Sequence, residues 1–155
     1  MSQSLVKNLV HLVYGTKHRE SLIPKKHWSA LFAYQSGIFK QWESPALVIG
    51  GVEDHVHVLF ALSKNHPLKK IVEEVKKGSS VWIKEQSPSY ADFHWQTGYA
   101  IFSVSQSLRN NVATYVRNQE THHAKKTFED EYLEFLEKHG IAYDPRFVFD
   151  TEFTS

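Results

Sequence analysis

Gly51-Val52-Glu53-Asp54-His55-Val56-His57-Val58-Leu59-Phe60-Ala61-Leu62 reads as a turn feeding a β-strand that carries two histidines separated by one valine. Side chains alternate along a strand, so His55 and His57 emerge on one face. Their α-carbons then lie roughly 6.5–7 Å apart, close enough for both imidazoles to meet one ion. Val56 and Val58 point the other way, toward a core. Two such imidazoles are surface residues on a half-exposed strand, ligands of a metal, or parts of an active site.

Working outward, residues 46–51 form the preceding strand, and the glycines with Glu53 and Asp54 leave a gap short enough for a hairpin. Glu53 and Asp54 read as turn residues. If the strand has already begun at Asp54, its side chain faces away from the imidazoles. Further upstream, residues 5–14 are rich in β-formers and read as a strand. Gly15 then opens a basic stretch, Thr16-Lys17-His18-Arg19, which is either a solvated strand end or a phosphate contact. Pro24 suits the first turn of a helix running to about Glu43. Its stripe is Trp28, Leu31, Phe32, Gln35, Ile38, Phe39 and Trp42, and Ser44-Pro45 ends it.

Downstream, a helix starts after Pro67 and runs to about Glu85, with Leu68, Ile71, Val72, Val75, Ser79, Trp82 and Ile83 turned inward. Lys69, Lys70, Lys76, Lys77 and Lys84 fall outside that stripe, on a face that is solvated or binds phosphate. Gly78-Ser79-Ser80 is a small-residue spot suited to close approach of another backbone. Residues 95–103 read as a fourth strand and 105–123 as one long helix. Thr127 caps a last helix with apolar positions Phe128, Tyr132, Phe135 and Leu136, and Gly140 sits where a C′ glycine belongs. Residues 141–155 form an irregular tail with Pro145 and four aromatics.

This order predicts an α+β fold in one domain, 1–155. The expected architecture is a ferredoxin-like βαββαβ antiparallel sheet with helices on one face plus extra C-terminal helices. Strands one and three pair at its centre, which places His55 and His57 mid-sheet. With 41% hydrophobic and 23% charged residues the composition is that of a soluble globular protein. The net charge of +1 confines any nucleic-acid surface to a local patch. Cysteine is absent, which excludes disulfides and thiolate metal sites. The apolar run near the start is too short for a membrane span and unlike a signal peptide, so a cytoplasmic protein without membrane contact is expected.

The helix near 105–123 holds the second half of the site. Leu108, Val112 and Val116 define its inward stripe, and Gln119 falls in the middle of it with Tyr115 at the edge. A buried amide left without a partner costs on the order of 1–3 kcal/mol. Gln119 therefore either bonds backbone or meets a metal, and Tyr115 either packs or reacts. Two imidazoles and a side-chain carbonyl make three ligands of a divalent ion with open positions for substrate. A tyrosine hydroxyl beside them suits attack on a phosphodiester polarised by that ion.

His55-Val56-His57 resembles the motif (His, hydrophobic, His) of HUH endonucleases. Tyr115-Val116-Arg117-Asn118-Gln119-Glu120-Thr121-His122-His123 is similar to the nucleophile helix of the single-tyrosine transposases of small bacterial and archaeal insertion sequences, the TnpA group. Residues 98–105, 12–19 and 140–147 also follow that family's habits, so the resemblance spans nearly the whole chain. It implies that His55, His57 and Gln119 bind Mg2+ or Mn2+ and that Tyr115 is the nucleophile. It also implies a homodimer that binds hairpins in single-stranded transposon ends and cuts and rejoins the strand through a 5′-phosphotyrosine. Lys17, Arg19, Lys76 and Lys77 are the candidate DNA contacts. Two other readings stand beside it. One is a domesticated tyrosine endonuclease acting on genomic repeat palindromes, the other a non-catalytic ferredoxin-like module that binds single-stranded nucleic acid. A hydrolase using activated water is disfavoured, because no carboxylate is convincingly placed as a base.

Overall fold

Strands β1 (Leu9–Gly15) and β3 (His55–Ala61) pair antiparallel at the centre of a four-stranded sheet in this computed structural model. The model describes residues 2–149. β2 (Ala46–Val52) flanks β3 and β4 (Ala100–Val104) flanks β1, giving the order β2-β3-β1-β4 with every pairing antiparallel. This is the arrangement expected of the βαββαβ unit. Residues 5–8 and 95–99 lie outside the strands, although Trp95 still bridges Thr16.

Helices α1 (Trp28–Gln41) and α2 (Leu68–Glu85) cover one face of the sheet. Val10, Leu12 and Tyr14 of β1 with Val56, Val58 and Phe60 of β3 meet Leu31, Phe39, Ile71, Val75 and Ile83 there, all buried. Leu31, Gln35 and Phe39 recur at four-residue spacing, which explains why a glutamine lies fully buried. Its amide donates to the Tyr14 hydroxyl at 2.7 Å. Gly78 does accept a close neighbour, but that neighbour is the Ile38 side chain of α1 rather than another backbone.

The opposite face carries His11 and Val13 of β1, His55 and His57 of β3, and Ala100 and Phe102 of β4. The C-terminal helices close over it. The expected single helix 105–123 is broken: a 3-10 turn (Gln106–Leu108) leads into α3 (Arg109–Arg117), and Asn118 interrupts before α4 (Gln119–His123). Ala113, Val116 and Gln119, at three-residue spacing, are buried, whereas Leu108, expected on the inward stripe, lies in the 3-10 turn and is 52% exposed. α3 seats directly on β2 at Gly50, where a Cβ would stand 2.1 Å from the Val116 carbonyl oxygen.

α5 (Phe128–Lys138) begins at Thr127, whose hydroxyl accepts from the Asp130 amide as expected. It ends in a Schellman motif at Gly140, which has φ +65°, with Ile141 and Gly140 amides donating to the Leu136 and Glu137 carbonyls. Phe128, Tyr132 and Leu136 bury against Val13 and Phe102, and Phe149 of the tail packs on Tyr132. The last six residues of the expected tail lie outside the described residues.

Candidate active site

His55 and His57 are both fully buried, with ring centroids 5.2 Å apart. Each is oriented through its Nδ1. Asp54 Oδ1 accepts from His55 Nδ1 at 2.7 Å, and His11 Nε2 shares a hydrogen bond with His57 Nδ1 at 2.8 Å. Both Nε2 atoms are thereby aimed into the same space, the arrangement by which imidazole ligands are usually held. Asp54 is a turn residue, as one of the two readings of the sequence has it, and does not face away from the imidazoles. The strand starts only at His55, so Asp54 is still in the turn and its short side chain folds back onto the ring. His11, on β1, was not read as a functional residue.

Gln119, 1% exposed, places Oε1 at 3.0 Å from His55 Nε2. Its amide nitrogen donates to the Tyr115 carbonyl at 3.2 Å, which fixes the orientation of the group. A carboxylate can only accept, so Asp54 fixes the His55 tautomer with the proton on Nδ1. A neutral His55 then presents a lone pair at Nε2 to the Gln119 oxygen, another acceptor. Two acceptors at hydrogen-bond distance need a cation between them, a proton or a metal ion. The donor set of imidazole nitrogens and a neutral oxygen thus fits the divalent ion that the sequence implies.

Glu131 of α5 enters the same space. Its Oε1 lies 2.9 Å from His57 Nε2, 2.9 Å from His123 Nε2 and 3.5 Å from His55 Nε2. The ligand atoms of His55, His57, His123 and Glu131 all fall within 4.8 Å of one another. The Tyr115 hydroxyl donates to Glu131 Oε2 and lies 3.1 Å from His122 Nε2. Contrary to the sequence reading, a carboxylate is therefore well placed beside the tyrosine.

The electrostatics follow from burial. Desolvation lowers His57 to about 4 against a partial offset from Glu131, so the ring is neutral at pH 7. Burial by itself would raise the Glu131 carboxyl, but hydrogen bonds from His123 and His57 outweigh it and hold the group well below the usual carboxylate range. Burial, and after it the hydrogen bond and charge of Glu131, push the Tyr115 phenol up. Phe128 stacks on the His55 ring at 4.3 Å, closing the site from above. What stays open is a cavity of about 90 Å3 bordered by Tyr115, His122, Lys126, Glu131, Phe135 and Lys138, with two lysines at its edge.

The four candidate DNA contacts lie elsewhere. Arg19 pairs with Glu129 at 3.2 Å and stacks over Phe149, so it ties the loop after β1 to α5. Lys17 is exposed. Lys76 is bound by the Gln96 and Gly98 carbonyls at 2.5 and 3.1 Å, while Lys77 is exposed. Both line a groove of about 380 Å3 with Lys69, Trp95 and Tyr99, on the side of the sheet away from the imidazoles.

The sequence profile of the IS200-like transposases matches residues 4–119, a span that takes in His55, His57, Tyr115 and Gln119. The chain belongs to the IS200-like transposase family. Membership makes it a DNA-cleaving enzyme. Solved structures share its fold. A candidate transposase from Deinococcus radiodurans R1 is 21% identical, with a TM-score of 0.59 over 77% of this chain and 98% of that one. A REP-associated tyrosine transposase bound to a REP hairpin is 13% identical, with a TM-score of 0.60 over the whole of both chains. No curated protein matches the sequence. No helix among the transposase's described residues is long and apolar enough to cross a membrane.

Proposed function

We propose that the transposase cuts and rejoins single-stranded DNA at hairpin-bearing ends through a 5′-phosphotyrosine at Tyr115, with Mg2+ or Mn2+ held by His55, His57 and Gln119. One observation carries this reading: the two strand imidazoles and the Gln119 carbonyl converge on one buried space whose wall bears the Tyr115 hydroxyl. A divalent ion supplies charge stabilisation for the phosphoryl oxygens and the leaving 3′-oxygen. Tyr115 Oη forms the bond to phosphorus as the P–O3′ bond breaks. The phenolic proton passes along its existing hydrogen bond to Glu131 Oε2, and the 3′-oxygen leaves with the electron pair and is protonated from solvent. The phosphotyrosine keeps the energy of the broken bond, so a 3′-hydroxyl can later reverse the step and join strands.

The test is incubation of the protein with labelled hairpin-bearing single-stranded DNA, with and without Mn2+. The expected result is a denaturant-resistant protein–DNA adduct that needs the ion. Binding without any adduct would instead support the non-catalytic module.

A second reading has one observation in its favour. One neighbour that aligns over both whole chains is a REP-associated tyrosine transposase, which suits a domesticated endonuclease acting on genomic repeat palindromes. Transposon ends beside the gene favour mobility, and dispersed palindromes favour the domesticated role. Either way the protein would work at the nucleoid.

Hairpin phosphates are proposed to run along the α2 groove and past Lys17 and Arg19. Lys76 is already engaged by loop carbonyls, so Lys77 is the cleaner probe. Lys77→Ala is expected to weaken binding across DNA sequences and to lower the salt slope by roughly 0.7, the value for one phosphate of a single strand. An unchanged slope would make this face merely solvated. Pairing of two copies is proposed as well, on the family resemblance. Light scattering at micromolar concentration should then give twice the 18.0 kDa chain mass, and the mass of a single chain with and without DNA would dismiss it.

A further inference from the structure

Glu131 lies beyond residues 4–119, the span matched to the family, and is 1% exposed among aromatic rings. Phe128, Glu131, Tyr132 and Phe135 share one face of α5, and Phe128 and Phe135 lie against His55 and His57. A carboxylate set into such a wall is costly unless it is paired. Its two oxygens are divided. Oε1 faces His57, His123 and His55, whereas Oε2 accepts from Tyr115 and lies 3.3 Å from His122 Nε2.

His123 also meets Oε1. Its Nδ1 must donate to the Lys126 carbonyl at 2.6 Å, since a carbonyl only accepts. Its Nε2 hydrogen-bonds Glu131 Oε1 at 2.9 Å. On the other side of the same space His55 Nε2 meets Gln119 Oε1 at 3.0 Å. Potential ligand atoms of His55, His57, His123 and Glu131 thus converge from β3, α4 and α5 within 4.8 Å of one another.

We propose that Glu131 is a further ligand of the active-site ion through Oε1 and that Oε2 at the same time positions the Tyr115 hydroxyl. A single carboxylate then sets the distance between ion and nucleophile. The proposal rests on the reading of the site as a metal-dependent tyrosine centre, and it extends the ligand set beyond the two imidazoles and the amide. Adding a charged oxygen to imidazole nitrogens strengthens the hold on a divalent cation. The nitrogen-rich set favours Mn2+ over Mg2+. His123 stands beside Oε1 and supports its orientation.

The test is calorimetric titration of Mn2+ into the full chain and its Glu131→Gln and Glu131→Asp variants, with circular dichroism as the folding control and adduct formation as a second readout. Gln keeps the shape and removes the charge, so Mn2+ affinity should fall on the order of 10–100-fold. Asp keeps the charge but is one methylene shorter. It should hold Mn2+ more tightly than Gln does, yet form the adduct at least about tenfold more slowly than wild type, the scale of a misplaced reacting group. Wild-type Mn2+ affinity in a folded Glu131→Gln protein overturns the proposal. If Gln fails to fold, Asp decides: wild-type affinity with wild-type adduct rate overturns the bridge between ion and tyrosine. In both cases a wild-type adduct leaves the wider reading standing. A wild-type protein that neither binds Mn2+ nor forms an adduct removes that reading and this inference together.

Discussion

Tyr115→Phe is expected to abolish the covalent adduct and strand cleavage while leaving hairpin binding and the fold in place. The substitution removes one oxygen. Its ring still packs against His11, His57 and Phe135, so little apolar contact is lost. The change also removes a donor from Glu131 Oε2, and His122 Nε2 at 3.3 Å stays available to that oxygen. Stability should therefore fall by no more than about 1.5–3 kcal/mol, the worth of a hydrogen bond to a charged group, while activity goes to background. A residual adduct in the Phe variant would mean that another nucleophile does the work, and a collapse of the fold would mean that Tyr115 is structural.

The second large effect is expected at a residue with no chemistry. Gly50→Ala puts a methyl group 2.1 Å from the Val116 carbonyl oxygen and 3.0 Å from its carbon. Those are backbone atoms of α3, so no side chain can rotate away and the helix must lift off β2. Overpacking of this kind costs about 1–3 kcal/mol, and each kcal/mol lowers the melting temperature by roughly 2–4 °C in a chain of this size. Tyr115 is the neighbour of Val116, so cleavage should fall along with stability. Gly37→Ala is the matched control. Gly37 sits in α1 with nothing within 4 Å of its would-be Cβ, and the helix should gain roughly 0.5–1 kcal/mol. Equal melting temperatures for the Gly50 variant and wild type would show that α3 does not rest on the strand as described.

The contrast between these residues explains which parts of the molecule were legible. The two histidines announce themselves because strand period two puts them on one face, and Gln119 because an amide interrupts an apolar helical stripe. The β1–β3 pairing follows from element order, and the two N-terminal helices from their stripes. Glu131 obeys the same helical rule as Gln119: it shares a face with Phe128, Tyr132 and Phe135. It was overlooked because α5 also carries Glu129, Asp130, Glu134 and Glu137, and one buried carboxylate is hard to see among solvated ones. His11 had only its place in an apolar strand to mark it.

Other features left no local trace. The break at Asn118 has no proline or glycine to signal it. The role of Asp54 depended on where the strand begins, and a shift of one residue reverses the direction of its side chain. Arg19 and Lys76 read as free cations in the sequence, but the fold had partners waiting for them in Glu129 and in the carbonyls of the loop before β4.

Anomalous diffraction at the manganese edge, from crystals of the full chain grown with Mn2+, tests the central claim most directly. The account predicts one ion bonded to Nε2 of both His55 and His57, with Gln119 Oε1 in its coordination sphere and the Tyr115 hydroxyl facing it. Manganese found only at exposed carboxylates such as Glu73 and Glu137, with both imidazoles unligated at saturating Mn2+, would contradict it.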